Sequence, residues 1–134
     1  MTPTLELIFE SLDEVMRGEE LYLDPDITLP DLSRRLSTNR TYVSRAVCAK
    51  FKNFRDYVNT LRVERLLEDM QEGRCGKIQQ AEGDEFALRY GFRSRRSLDR
   101  ILVLETGCTY LTLIRRRGLQ GKNAAYELHE QVPV

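Results

Sequence analysis

Two sequence signals for a helix N-terminus, at Thr28 and Asn39, lie close together and restrict this part of the chain to short helices. Thr28 carries the hydroxyl preferred at a helix N-cap, Pro30 fits the first helical turn, and Asp31 completes a capping box. Asn39 supplies a second cap after the polar break Ser37-Thr38-Asn39. The sequence therefore predicts a short helix ending near Leu36, a turn of about three residues, and a second helix over 40–51.

Apolar residues elsewhere recur at the spacing of amphipathic helices. This periodicity predicts an acidic first helix over 5–16, a long helix over 54–70, and shorter helices over 84–88, 95–105 and 111–117. Asp84 and Ser94 are expected to cap the two helices that flank a turn at Gly91. The predicted fold is therefore all-α.

The order of these helices predicts two helix-turn-helix subdomains joined by a linker helix. We expect the first helix, the first helix pair and the linker helix over 1–70, and the second pair over 71–117. A loose polar tail is expected over 118–134, with a frayed helical stretch at Ala124–Glu130.

The net charge of zero hides a separation of charge along the chain. Residues 1–27 contain eight acidic residues and one basic residue, whereas residues 28–121 contain 19 basic and 11 acidic residues. A basic segment of this kind is typical of a surface that faces a polyanion, although chance segregation of solvated charge gives the same pattern.

The chain lacks the residues that characterise several other classes of protein. Cys48, Cys75 and Cys108 are far from the paired spacing of zinc or redox sites, so we expect reduced thiols and no metal. The single histidine, His129, lies in the predicted tail, and no nucleophile stands beside a plausible base, so we expect no enzyme activity. The sequence contains no phosphate loop, secretory signal or membrane span, which predicts a cytoplasmic protein without a cofactor.

Three motifs carry a resemblance to a known family. They are Thr38-Asn39-Arg40-Thr41-Tyr42-Val43-Ser44-Arg45, then Phe54-Arg55-Asp56-Tyr57-Val58-Asn59 with Leu61-Arg62-Val63, and then Gly91-Phe92-Arg93-Ser94. In this order they resemble the DNA-binding domain of the AraC/XylS family of bacterial transcription regulators, over roughly residues 5–117. The resemblance implies sequence-specific binding of double-stranded DNA, with the helices over 40–51 and 95–105 reading adjacent major grooves.

The family's base-reading positions correspond to outward residues of these two helices. They are Thr41, Ser44 and Arg45 in the first helix, and Arg96, Ser97 and Arg100 in the second. Contacts that position the protein on phosphate are expected from residues at the helix starts, namely Asn39, Arg40, Arg93 and Arg95. The linker helix is expected to form a rod of about 25 Å, which suits major grooves about 34 Å apart when each reading helix projects beyond its end.

The chain departs from the family pattern, mostly in the second unit. In the first unit, Lys52-Asn53-Phe54 is one residue short and lacks the family's glycine. The other departures are Leu66 for a small alanine, Asp69 and Gly83 at apolar positions, Tyr110 for a proline, and Leu113-Ile114 for a Tyr-Arg pair. The alternative that the second unit has lost its DNA contact therefore stays open.

A helical protein-interaction module that kept the fold is the alternative function, with Val103, Leu104 or the acidic first helix as its surface. RNA polymerase is a further partner that the resemblance brings into consideration. The family commonly carries a sensor domain upstream, and neither this nor an effector site is expected in this chain. The chain is then either a fragment of a longer regulator or acts alone.

Overall fold

A computed structural model describes residues 4–75 and 83–120, with side chains as far as residue 116. These residues form seven α-helices and one 3-10 helix without a strand, which confirms the all-α prediction. The helices are α1 (Leu5–Gly18), α2 (Leu29–Arg35), α3 (Arg40–Cys48), α4 (Phe54–Gln71), α5 (Asp84–Arg89), α6 (Arg95–Thr106) and α7 (Tyr110–Gln120), and the 3-10 helix is Leu21–Leu23.

The chain divides into two compact units between Arg62 and Val63, inside α4. Unit 1 contains α1, α2, α3 and the first part of α4, and unit 2 contains the rest of α4 with α5, α6 and α7. The sequence predicts this boundary after the whole linker helix, at residue 70. The division lies earlier because each part of α4 contributes side chains to a separate apolar cluster.

Unit 1 is built around α3, against which α1 and α2 pack. Fully buried side chains come from each of the three helices: Leu12 and Met16 of α1, Leu32 of α2, and Val43, Ala46 and Val47 of α3. Tyr57 of α4 is also fully buried, and its hydroxyl donates a hydrogen bond of 2.7 Å to the Asp13 carboxylate on α1. Packing therefore fixes the inner face of α3 and leaves its outer face to solvent.

The predicted starts of α2 and α3 are confirmed by their caps. The Thr28 hydroxyl accepts the N–H of Asp31, and the Asp31 carboxylate accepts the N–H of Thr28, each at 3.2 Å. Pro30 lies in the first turn of α2. In α3, Asn39 Oδ1 accepts the N–H of Tyr42 at 3.0 Å. These side chains set where both helices begin.

Helix α3 ends at Cys48, earlier than the predicted end at residue 51. The N–H of Phe51 donates to the Val47 carbonyl at 2.8 Å, where the chain turns. The Phe51 ring then packs with Phe9 and Tyr57, at centroid distances of 6.1 and 5.1 Å. This aromatic contact replaces a further helical turn, and its partners lie too far along the chain for helical periodicity to reveal it.

Arg62 ties the segment after α1 to α4. Its Nε donates to the Tyr22 carbonyl at 2.6 Å and its Nη2 donates to the Asp24 carbonyl at 2.9 Å. Burial lowers the pKa of the Arg62 guanidinium to about 10, against the opposing effect of the Asp24 charge, so the group stays protonated at neutral pH. A buried cation held by backbone carbonyls therefore anchors the 3-10 helix, which the sequence analysis did not predict.

Unit 2 has α5 packed against α6. The apolar side chains on the inner side of this pair are buried: Phe92, Leu98, Ile101 and Leu102. Gly91 forms the predicted turn with a φ of 86°, and the Ser94 hydroxyl caps α6 by accepting the N–H of Ser97 at 3.1 Å. The second pair of short helices thus begins and turns where the sequence predicts.

Asp84 does not cap its own helix as predicted. It is the first residue of α5, and the N-cap is Gly83, whose φ of 90° favours glycine. The Asp84 carboxylate instead accepts the N–H of Arg95, the first residue of α6, at 2.8 Å. A carboxylate on one helix therefore accepts the hydrogen bond from the first N–H of the next helix.

Helix α7 begins at Tyr110 and continues to Gln120, beyond the predicted range of 111–117. The N–H of Tyr110 donates to the Asp99 carboxylate at 3.0 Å, and the ring is fully buried 4.8 Å from the Phe86 ring centroid. Proline could not make this hydrogen bond. The predicted tail is wrong over residues 118–120, which are helical, and residues 121–134 with the stretch at Ala124–Glu130 lie outside the described residues.

Asp69 is a buried carboxylate in unit 2 that the Tyr90 hydroxyl contacts at 2.8 Å. Arg65 and Arg74 pair with the same carboxylate at 3.3 and 2.9 Å. Burial raises the pKa of Asp69, but the hydrogen bonds from Tyr90 and Arg74 and the charge of Arg65 outweigh it, so the pKa lies below its ordinary value. Three partners therefore keep the Asp69 carboxylate ionised, at a position where the AraC/XylS pattern has an apolar residue.

Tyr90→Phe is expected to destabilise unit 2 by about 1.5–3 kcal/mol, as typical for the loss of a hydrogen bond to a charged group. The pKa of Asp69 is lowered in the folded state, so its ionised form stabilises the fold above the ordinary carboxyl pKa. That stabilisation is lost as the pH falls through the lowered value. Because loss of the Tyr90 hydroxyl raises the Asp69 pKa, the loss of stability in acid moves to higher pH.

Urea unfolding at several acidic pH values measures both effects. Tyr42→Phe, at a tyrosine that is 40% exposed, is the matched control. If the free energy of unfolding falls over the same acidic pH range for Tyr90→Phe and the unaltered chain, the role assigned to the Tyr90 hydroxyl is contradicted.

Candidate nucleic-acid interface

The outer face of α3 carries the side chains that the sequence places there. Arg40, Thr41 and Arg45 are exposed and Ser44 is half-buried. Together with Leu29 and Pro30 of α2, these residues line one open depression on unit 1. The fold therefore brings the candidate base-reading residues of the first unit onto a single surface.

Arg40 and Arg45 form no ion pair with the part of the chain that the structure describes. Six other arginines within the described residues form ion pairs: Arg17 with Asp13, Arg34 with Asp31, Arg35 with Glu19, Arg65 and Arg74 with Asp69, and Arg95 with Asp99. A guanidinium has five N–H donors and no acceptor. On α3 these donors are available to a ligand.

The stretch of sequence that contains α3 carries charge of one sign. Between Leu32 and Arg55 the sequence contains seven basic residues and no acidic one. Three of these bases, Lys50, Lys52 and Arg55, are exposed in the turn after α3 and the first turn of α4. Lys50, Lys52 and Arg55 are not among the predicted site residues, although the uninterrupted run of basic residues in the sequence points to them.

The start of α3 presents two candidate phosphate contacts. Asn39 is exposed, and its Oδ1 is occupied by the cap of α3. The amide NH₂ of Asn39 is therefore the group that this residue can offer to an acceptor. Arg40, the first residue of α3, is exposed beside it.

The outer face of α6 in unit 2 carries Arg96 and Arg100, which are exposed. Neither forms an ion pair with any residue in the described ranges 4–75 and 83–120. Ser97 is half-buried, and its Oγ receives a hydrogen bond of 3.1 Å from the Ser94 hydroxyl. Arg93 is exposed just before the cap of α6. Arg96 and Arg100 are thus the α6 residues most accessible to a partner.

Arg95, an expected phosphate contact, is less accessible than Arg96 and Arg100. Its side chain is only 15% exposed and pairs with Asp99 at 3.2 Å. Its guanidinium also lies over the Tyr110 ring, 5.3 Å from the centroid. Asp99 lies four residues along α6, at the spacing of a helical pair, whereas Tyr110 approaches Arg95 only in the folded unit. Arg95 therefore joins α6 to the start of α7.

The C-terminal part of α6 exposes apolar side chains. Val103 is 42% exposed and Leu104 is 74% exposed. Arg96, Arg100 and Leu104 are spaced four residues apart, so they follow one another along one side of the helix. This surface is basic at one end and apolar at the other.

Other kinds of site have little support within the described residues. No group of three or more histidine, cysteine, aspartate or glutamate residues there is placed to hold a metal ion. Cys48 is exposed, Cys75 and Cys108 are buried, and all three are free thiols. No described helix is both long enough and apolar enough to cross a membrane.

The resemblance seen in the motifs has no counterpart in wider comparisons. Searches of protein-family models, curated proteins and solved structures found no match to this chain. The AraC/XylS resemblance therefore stays a prediction, and the fold and the exposed side chains are the basis for assigning a function.

Proposed function

We propose that this protein binds double-stranded DNA sequence-specifically as a transcription regulator of the AraC/XylS type. The observation that carries this proposal is the set of exposed arginines on α3 and α6 that form no ion pair with described residues. Each of these helices follows a shorter helix and a turn, which is the arrangement of a helix-turn-helix unit. Such a regulator acts in the cytoplasm, at the nucleoid.

In unit 1, α3 is the base-reading helix. Its first two turns hold Thr41, Ser44 and Arg45, and the N-terminal residues of a reading helix are the ones that contact base edges. Arg45 suits the O6 and N7 acceptors of guanine, while the hydroxyls of Thr41 and Ser44 serve several bases. Asn39 and Arg40, at the helix start, are suited to positioning on phosphate.

In unit 2, α6 takes the same role with a different set of side chains. Arg96 and Arg100 are the base-reading candidates, and Ser97 lies between them. Arg93 is a candidate for phosphate contact. Arg95 contributes indirectly, because its ion pair with Asp99 orients the first turn of α6.

A protein-interaction surface is the second candidate function, favoured by the exposure of Leu104. Solvent-exposed leucine beside valine on a helix is a suitable contact for a partner protein. RNA polymerase is the partner that we would test first for a DNA-bound regulator. Binding of such a partner by a Leu104→Ala variant should weaken, while DNA binding remains.

DNA binding is expected to depend strongly on salt, because each phosphate contact releases condensed counterions. Arg40→Ala should lower the slope of log K against log salt by about one unit on any duplex. Fluorescence anisotropy with a random DNA pool at several salt concentrations measures this. Arg17→Ala removes the same charge from α1, where Arg17 pairs with Asp13, and should leave the slope unchanged. No binding even at low salt contradicts the proposed function.

Arg45→Ala and Ser44→Ala are expected to change which bases the protein tolerates. A base contact typically discriminates by about 1–3 kcal/mol against the wrong base, whereas phosphate contacts carry no direct sequence information. Arg40→Ala should therefore weaken binding by a similar factor on all sequences. Sequencing of duplexes selected by each variant separates the two outcomes. Equal losses on every sequence for all three variants refute the assigned roles.

Arg96→Ala with Arg100→Ala is expected to abolish protection of one of two half-sites in a footprint. The physical reason is that each unit contacts its own half-site through its own reading helix. The half-site that stays protected is then the one bound by unit 1. A footprint that these two substitutions leave unchanged means that unit 2 does not contact DNA, and it favours the protein-interaction function for α6.

A further inference from the structure

The depression beside α3 has two chemically different walls. One wall is formed by Leu29 and Pro30 at the start of α2, both half-buried. Proline has no N–H, so this wall offers a hydrocarbon surface with little hydrogen-bonding capacity. The other wall is formed by residues of α3 whose side chains carry hydroxyl or guanidinium groups: Arg40, Thr41, Ser44 and Arg45. A group that fits both walls has an apolar part next to a hydrogen-bond acceptor.

Thymine is the base whose major-groove edge combines these features, with the C5 methyl next to the O4 acceptor. Cytosine presents an N4 donor and no methyl group, adenine presents an N7 acceptor with an N6 donor, and guanine presents two acceptors without an apolar group. We infer that this depression is a thymine subsite, in which the methyl group contacts Leu29 and Pro30 and a hydroxyl of α3 donates to O4. This inference rests on the proposed DNA-binding function and adds a specified base to it.

The position of Arg45 extends the inference to the neighbouring base. Arg45 lines the same depression as the apolar wall. Its guanidinium can donate two parallel hydrogen bonds to guanine O6 and N7. The half-site of unit 1 is therefore expected to contain a guanine beside the thymine. Leu29 is not recognisable as a site residue from the sequence, because its closeness to α3 depends on how α2 packs.

Replacement of thymine by uracil tests the subsite directly, because uracil lacks only the C5 methyl group. Duplexes selected by the full chain are resynthesised with uracil at one thymine position at a time. At one position in the half-site of unit 1, binding should weaken about fourfold, as expected for the loss of one methyl-sized apolar contact. Uracil elsewhere in the same half-site should have no such effect.

Protein variants identify which residues of the depression contact the methyl group. Leu29→Ala should remove the difference between thymine and uracil at that position, which a double-mutant cycle measures as coupling. Leu7→Ala, at an exposed leucine of α1, is the matched control and should keep the difference. Because Leu29 also packs against the core of unit 1, Pro30→Ala is the second variant. Circular dichroism checks that each variant is folded.

The outcomes distinguish this inference from the function on which it rests. Absence of binding to any duplex contradicts the proposed function and the thymine subsite together. Binding that is insensitive to uracil throughout the half-site contradicts the subsite alone. A methyl effect that persists unchanged in both Leu29→Ala and Pro30→Ala also overturns it, because the methyl group then contacts another part of the protein.

Discussion

The rotation of α3 and α6 about their axes is set by apolar side chains on their inner faces. Val43, Ala46 and Val47 are fully buried in unit 1, and Leu98 and Leu102 are fully buried in unit 2. Successive residues of a helix are about 100° apart, so burial of these positions decides which residues face solvent. A different rotation would expose several apolar side chains, each at a cost of about 1.5–3 kcal/mol. Core packing thus determines the candidate interface on each unit.

Capping side chains add a second constraint by fixing where each helix begins. In unit 2 the caps come from other helices as well as from the adjoining residue. Asp84 of α5 accepts the first N–H of α6, and Asp99 of α6 accepts the first N–H of α7. A carboxylate at a helix N-terminus is also favoured by the helix dipole. Three consecutive helices are therefore linked by two carboxylates, and Asp99 holds Arg95 at the same time.

Local signals in the sequence were sufficient for much of this fold. Thr28, Asn39 and Ser94 each have a side chain that reaches only three residues along the chain, so their caps are visible in the sequence. The early end of α3 depends on contacts of Phe51 with Phe9 and Tyr57, which helical periodicity does not reveal. The position of Arg95 depends on the distant Tyr110 ring as well as on Asp99, four residues along the same helix. Among the candidate site residues, the exposed positions followed from helical periodicity, whereas the apolar wall of the depression required the packing of α2 on α3.

Three of the departures from the AraC/XylS pattern in unit 2 have a physical explanation in the folded unit. Asp69 is held by the Tyr90 hydroxyl, the N–H of Tyr110 is bound by Asp99, and Gly83 has a positive φ. These contacts lie within the unit or at its turns, away from the exposed face of α6. Divergence at these positions concerns how the helices are held together.

Arg96 and Arg100 remain on the face of α6 that those contacts leave open. Exposed like charges repel one another in the folded state, and within the described residues no carboxylate pairs with either guanidinium. The phosphates of DNA would relieve this repulsion, because each phosphate contact neutralises a charge and releases a condensed counterion. An apolar protein partner would cover Leu104 but would leave both guanidinium groups without an opposite charge. The electrostatics of α6 therefore support the proposal that unit 2 contacts DNA.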